Sequence, residues 1–307
     1  MSGFEGAKAQ MKGMSEEISP SLTRRTLLAL AAGSAVSAVT TPRAQAAPVS
    51  DLWPRWAQHE PESLYKVDHG AWDDLLGRYL LTGPDLINRF DYRGVTAEDS
   101  AKLDRYLAEL SETLISQYAR DEQFAFWLNL YNALVVRLVL DHYPVDSIRQ
   151  IDIAPSLFDS GPWGADLVSV EGAALSLDDI EHRILRPIWK DPRIHYVINC
   201  AAIGCPQIPP RAMTGGNREE MLETAARAFI NHPRGVRRTS GGLPRGLVLS
   251  RIYDWYASDF GGYDDAVISH LLDYAEPKLA AQIKATPYIA GYEYDWSLND
   301  AAKMVSG

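Results

Sequence analysis

The sequence predicts an α+β fold that is predominantly helical, with a central buried helix at residues 122–142 and a small mixed or antiparallel β-sheet. Three observations lead there. Residues 122–142 carry Phe124, Trp127, Leu128, Leu130, Tyr131, Leu134, Val135, Leu138 and Val139 around nearly the whole helical circumference, as a helix at the centre of a domain does. Helical periodicity dominates before residue 142, and short alternating segments follow it. The 307 residues are 46% hydrophobic and 23% charged, enough to bury a sizeable core and too apolar for wholesale disorder.

Taken in order, residues 47–70 are rich in Trp, Pro and charge and read as a surface wrap. Residues 71–81 and 97–117 have helical periodicity, with Leu103, Leu107, Leu110 and Leu114 spaced three or four apart and Thr96 placed to cap the second stretch. Tyr143-Pro144 ends the central helix. Residues 166–170 and 173–177 flank Glu171-Gly172 as a β-hairpin. Ser176 and Asp179 have capping-box spacing for a helix over 178–188, which Pro187 is expected to stop. Residues 193–199 alternate and are rich in Ile, Val and Tyr, which predicts a strand. A helix over 219–231, a strand over 246–250 and a helical stretch over 251–260 follow. A helix over 264–284 kinked at Pro277 and a last strand over 288–297 complete the order.

The first 46 residues read as an export address. Arg24-Arg25 directly precedes an uncharged run over 27–39, the length of a signal's apolar region and short of a bilayer span. Ala44-Gln45-Ala46 offers a small-x-small cleavage site, and the paired arginines resemble a twin-arginine signal. The expected location is the periplasm, with no stable membrane span after cleavage. The expected organisation is a signal over 1–46, a helical N-terminal part over 47–120 and a core domain over 121–300. The twin-arginine route carries folded cargo, which hints at a cofactor without naming one. The mature chain, residues 47–307, keeps 25 basic and 37 acidic residues. A net acidic chain lacks the footprint of a nucleic-acid binder, so the expected partner is a small molecule or peptide.

Two cysteines are too few for a disulfide-stapled scaffold. They lie in the densest polar cluster, His195-Tyr-Val-Ile-Asn199-Cys200-Ala-Ala-Ile-Gly204-Cys205-Pro206. Strand alternation would put His195, Val197 and Asn199 on one face, with Gly204 allowing a sharp turn. Four readings are open. Cys200 or Cys205 is a nucleophile with His195 or His182 as its base. Alternatively, the two cysteines form a local disulfide, structural or redox-active. They could instead bind zinc with His182 and His195, at spacings unlike the tight pairs of most zinc modules. In the fourth reading they are buried small residues.

On an α-helical wheel His182 falls off the apolar face of its helix and reads as a solvated histidine. Asn129 and Asn132 share a face of the central helix, where they either satisfy loop backbone or line a polar cleft as orienters or oxyanion donors. Trp255 and Tyr256 read as core aromatics before a ligand platform, and Asp254 and Asp259 are free to meet Arg251 or a site. No phosphate-cradling Gly-rich loop, nucleophile-elbow serine or zincin motif occurs.

Five stretches together resemble the family called domain of unknown function 547. They are Phe126-Trp-Leu-Asn-Leu-Tyr-Asn-Ala-Leu134, Asp179-Ile-Glu-His-Arg-Ile-Leu-Arg186, the run from Asp191 to Pro206, the run from Leu249 to Phe260, and Tyr294-Asp-Trp-Ser-Leu-Asn299. The resemblance covers most of residues 120–300 and supplies a domain, not an activity. Some eukaryotic members are joined to glutaredoxin-like modules, which favours thiol chemistry. His195, Asn199, Cys200 and Cys205 fit the family's pattern, while Gly204 stands where it often has Ser. The expected function is a thiol-dependent hydrolase or transferase, with Cys200 or Cys205 as nucleophile, His195 as base, and Asn199, Asn129 and Asn132 orienting groups. The rival expectation is a non-catalytic binding or structural module with a Cys200–Cys205 disulfide.

Overall fold

The computed structural model describes residues 47–153, 161–239, 241 and 245–306; the expected export address over 1–46 lies outside them. Helix α1 (Gly70–Tyr79) runs into a hairpin of β1 (Leu80–Thr82) and β2 (Asn88–Phe90). Helix α2 (Ala97–Glu112) starts where the cap was expected, with Thr96 Oγ1 accepting the Asp99 N–H at 3.1 Å. Helix α3 (Arg120–His142) is buried at every residue from Glu122 to Val136. Each of its fully buried large apolar side chains contributes about 1.5–3 kcal/mol. Its length and composition would also suit a membrane span, but 89% of its most apolar stretch is buried inside the protein, as a core helix is.

Strands β3 (Val168–Val170) and β4 (Ala173–Leu175) form the expected hairpin. Glu171 and Gly172 both take positive φ, 46° and 76°, as a two-residue turn matched to strand twist requires. The Ser176/Asp179 capping box is reciprocal: Ser176 Oγ accepts the Asp179 N–H at 3.1 Å, and Asp179 Oδ2 accepts the Ser176 N–H at 3.0 Å.

The expected helix forms after the capping box, but as a π-helical segment, Asp179–Leu185, closed by the Arg186 N–H donating to the Glu181 carbonyl. Two expectations fail here. Pro187 does not stop the helix: α4 (Arg186–Trp189) holds Pro187 in its first turn, where no N–H is needed, and ends at left-handed Lys190. Residues 193–199 are not a strand. Asp191 accepts the Arg193 N–H at 2.9 Å and Pro192 presets a helical φ, so Pro192–Tyr196 winds as a 3₁₀ helix. The alternation of Ile194, Tyr196 and Ile198 fits the strand period without forming one, and residues on both sides of the alternation are buried.

Helix α5 (Arg218–Ile230) leads to a mixed sheet in which β6 (Leu247–Ser250) pairs antiparallel with β5 (Val236–Arg238) and parallel with β7 (Ile289–Glu293). Between β6 and β7 lie α6 (Ile252–Trp255), a 3₁₀ turn (Ala257–Phe260), α7 (Asp264–Tyr274) and α8 (Pro277–Ala285). Pro277 thus opens a new helix instead of kinking one. A large core surrounds α3, and a smaller one fills the space between Tyr196, α5, the mixed sheet and α7. The 3₁₀ segment and the loop after it lie between the two cores.

Candidate functional site

Two polar clusters grow from the segment between the cores, one of sulfur and one of imidazole and carboxylate. The sulfur cluster is set by the loop 199–206. Asn199 clamps it from within: its Oδ1 accepts the Ala201 N–H at 2.7 Å, and its Nδ2 donates to the Pro206 carbonyl at 2.7 Å. Residues 294–299 clamp it from outside. Ile203 N–H donates to Ser297 O and Gly204 N–H to Asp295 O, both at 2.8 Å, and Asn299 N–H donates to Ala201 O at 2.9 Å. A Cβ on Gly204 would stand 2.6 Å from Asp295 N, so glycine is what allows this approach. Ala201 is forced to φ 57°, a left-handed conformation.

The outcome is a thiol pair. Cys200 Sγ donates to Cys205 Sγ at 3.1 Å, and the Cys200 N–H donates to the same sulfur at 3.0 Å. The Tyr294 hydroxyl lies 3.0 Å from Cys200 Sγ. Both cysteines are free, so the expected local disulfide is not formed; Cys205 is buried and Cys200 half-buried. Burial opposes ionisation of Cys205, but the thiol and backbone N–H of Cys200, with Tyr294, outweigh it and lower its pKa. The Cys205 sulfur in turn pushes the Cys200 thiol well above its ordinary value, with burial adding to the effect. Of the two sulfurs, Cys205 is therefore the easier to ionise. Trp255, Tyr294 and Trp296 form a half-buried aromatic wall beside it, with centroids 4.7–5.6 Å apart.

The second cluster holds both histidines. His195 Nε2 donates to Asp259 Oδ2 at 2.8 Å, and its ring stacks on Tyr256 at 3.9 Å. Its Nδ1 is 3.8 Å from Glu181 Oε1. Arg186 grips Asp259 through Nε at 2.6 Å and Nη2 at 3.0 Å. Burial would raise the Asp259 pKa, but His195 and Arg186 override it and hold the carboxyl far below the usual range. Tyr131 donates to Glu181 Oε2 at 3.2 Å.

His182 is buried, not solvated. Arg186 Nη1 donates to its Nδ1 at 3.0 Å, and residues 47–53 roof its helix, with Asp51 N–H on His182 O and Trp53 N–H on Arg183 O. The polar face of the segment is covered by other polar groups, which a wheel cannot foresee.

Among the described residues no hydrogen bond joins a sulfur to an imidazole: the sulfurs meet each other, Tyr294 and the Ile198 carbonyl, and both imidazoles meet charged groups. Neither do three His, Cys, Asp or Glu side chains converge there to hold a metal. The two asparagines of α3 engage backbone. Asn129 pairs with both the N–H and the carbonyl of Met213, at 3.1 and 2.8 Å. Asn132 accepts the Asn199 N–H and donates to Val197 O, both at 2.9 Å, so it fixes the end of the 3₁₀ segment. A cavity of about 520 Å³, lined by Gln58, His59, Leu64, Tyr65 and Gln117 among others, includes no residue of either cluster.

Glu181, Arg186, Tyr131 and Tyr294 were not singled out from sequence. The adjacency of Glu181 to His182, and the aromatic run Tyr294-Asp-Trp-Ser-Leu-Asn299, are the signals that could find them. Asp259 meets Arg186 and His195, whereas Asp254 meets Arg251 at 3.6 Å.

A family described as "Protein of unknown function, DUF547" matches residues 115–230. The match takes in α3, the π-helical segment and the loop with both cysteines; the stretches from Leu249 to Phe260 and from Tyr294 to Asn299 lie beyond it. No curated protein and no solved structure matches the chain.

Proposed function

We propose that this chain is an exported thiol-dependent enzyme whose reactive centre is the Cys200–Cys205 pair, and that it carries out thiol–disulfide exchange with disulfide or dithiol substrates. The carrying observation is the 3.1 Å contact between the half-buried Cys200 thiol and the buried Cys205 sulfur. In a Cys/His enzyme an imidazole takes the nucleophile's proton. Here Cys205 is the group placed to take it. As Cys200 attacks one sulfur of a substrate disulfide, its proton passes to Cys205 and the other substrate sulfur leaves as a thiolate. The leaving thiolate takes up that proton. Cys205, again a thiolate, then attacks Cys200 and releases the second substrate thiolate, which is protonated by water. The substrate gains two electrons and the protein is left with the Cys200–Cys205 disulfide. A second dithiol restores it, and the reverse sequence oxidises a dithiol.

The test uses 5,5′-dithiobis(2-nitrobenzoate) on the reduced mature chain. One equivalent should release two thionitrobenzoates and leave an intramolecular disulfide by mass. Cys205→Ser should release one and retain a mixed disulfide on Cys200. No reaction of the native chain, or two persistent adducts, contradicts the proposal. Export is proposed on Arg24-Arg25, the uncharged run after it and Ala44-Gln45-Ala46. A secreted chain beginning at Ala47 supports it, and one keeping Met1–Ala46 in the cytoplasm opposes it.

A further inference from the structure

Arg234 is a half-buried cation with unusual company. Its Nη1 donates to the Ile203 carbonyl at 2.8 Å, inside the loop that carries both cysteines. Its Nε and Nη2 are buried and have no hydrogen-bond partner. Its guanidinium lies 5.4 Å from the Phe229 ring centroid, a weak partner for a full charge. Among the described residues it forms no ion pair with a carboxylate, whereas the buried Arg186 holds Asp259 through two nitrogens. Two buried guanidinium nitrogens without a partner favour a negative charge nearby.

We infer that Arg234 is the counter-ion of the thiol pair: it pins the cysteine loop through Ile203 and keeps the Cys205 sulfur anionic, as a positioning residue for the sulfur chemistry. This rests on the reading of Cys200–Cys205 as the reactive centre. The backbone provides for it, because the turn before β5 fixes Arg234, its N–H donating to His232 Nδ1 at 3.1 Å. Arg234 and Cys205 act on each other electrostatically: the thiolate opposes the fall of the Arg234 pKa, which burial brings to about 10, and the cation favours ionised Cys205. The other titratable groups around the two are Cys200, Tyr294, Tyr92 and Tyr131 on the sulfur side, and Asp85, Arg89 and His232 on the guanidinium side. Asp85 is bound to Arg89 at 2.6 Å, which leaves the sulfur as the unclaimed anion.

The experiment is the pH dependence of iodoacetamide alkylation of the reduced mature chain, compared among wild type, Arg234→Gln and Arg234→Lys. Glutamine removes the charge and, being two atoms shorter, the donation to Ile203 O as well, whereas lysine restores a cation. The expected result is an inflection in Arg234→Gln higher than wild type by on the order of one pH unit, with Arg234→Lys recovering much of the difference. A role confined to holding the loop would lower thermal stability in both variants and leave the inflection in place. An unchanged inflection in folded Arg234→Gln overturns the inference while the thiol reading stands. If Arg234→Gln fails to fold, a wild-type inflection in Arg234→Lys shows that a cation suffices and supports it, and an inflection raised as far as for an unperturbed thiol overturns it. A wild-type chain whose thiols never react sinks the thiol reading itself, and this inference with it.

Discussion

The sulfur loop and the imidazole–carboxylate knot are neighbours in sequence and opposites in design. In the knot, charge is answered by charge: Asp259 receives three hydrogen bonds from His195 and Arg186, and Arg186 is closed off further by Pro48 O and His182. Such a network resists change, because removing one member strands the others in a low-dielectric interior. In the sulfur loop the backbone is held by hydrogen bonds, but the two sulfurs meet each other at 3.1 Å without a charged partner among their hydrogen bonds, and one of them is half-buried. The comparison teaches that a titratable histidine near a cysteine in sequence does not make a catalytic pair; what decides is which groups have their hydrogen bonds already committed.

Breaking the knot should have the largest effect. Asp259→Ala leaves Arg186 and His195 buried without their anion, and a stability loss of about 3 kcal/mol in urea unfolding is expected. The folded fraction should keep its thiol reactivity, and loss of both together would merge the two regions into one site. Next is Gly204→Ser. Its Cβ would meet Asp295 N at 2.6 Å, so about 2 kcal/mol of destabilisation and a displaced loop are expected, read by unfolding and by slower thiol exchange.

A pH series sharpens the contrast further. The folded pKa of Asp259 is depressed, so its contribution is fully present above the unfolded value of about 3.9 and is lost as pH falls from there through the folded value. Acid should therefore destabilise wild type more than Asp259→Asn below about pH 4. The smallest effect is Ala201→Gly, which relieves the positive φ at the cost of chain entropy. A gain of about 0.5 kcal/mol is expected in thermal unfolding.

Much of the scaffold was legible in the chain. The all-round apolar pattern of α3, the Thr96 cap, the Glu171-Gly172 turn and the Ser176/Asp179 box act locally, and each formed where its residues predict. Residues 193–199 misled because period 2 was read without the Asp191-Pro192 start signal, which winds a 3₁₀ turn and buries residues on every side. His182 misled because exposure is a tertiary property: the chain at 47–53 covers a face that looks polar on the wheel. Of the candidate site, the two cysteines and Asn199 could be found in one short run, but Tyr294 and Arg234 come from distant segments. Their roles follow from the Gly204 approach and the β5 turn, which no local pattern announces.

The most direct test of the central claim, that the sulfur pair activates itself without an imidazole, is the pH profile of alkylation in His195→Gln against wild type. The account predicts the same inflection in both chains, with only stability reduced. An inflection in His195→Gln that rises to that of an ordinary cysteine would contradict it and restore a thiolate–imidazolium pair.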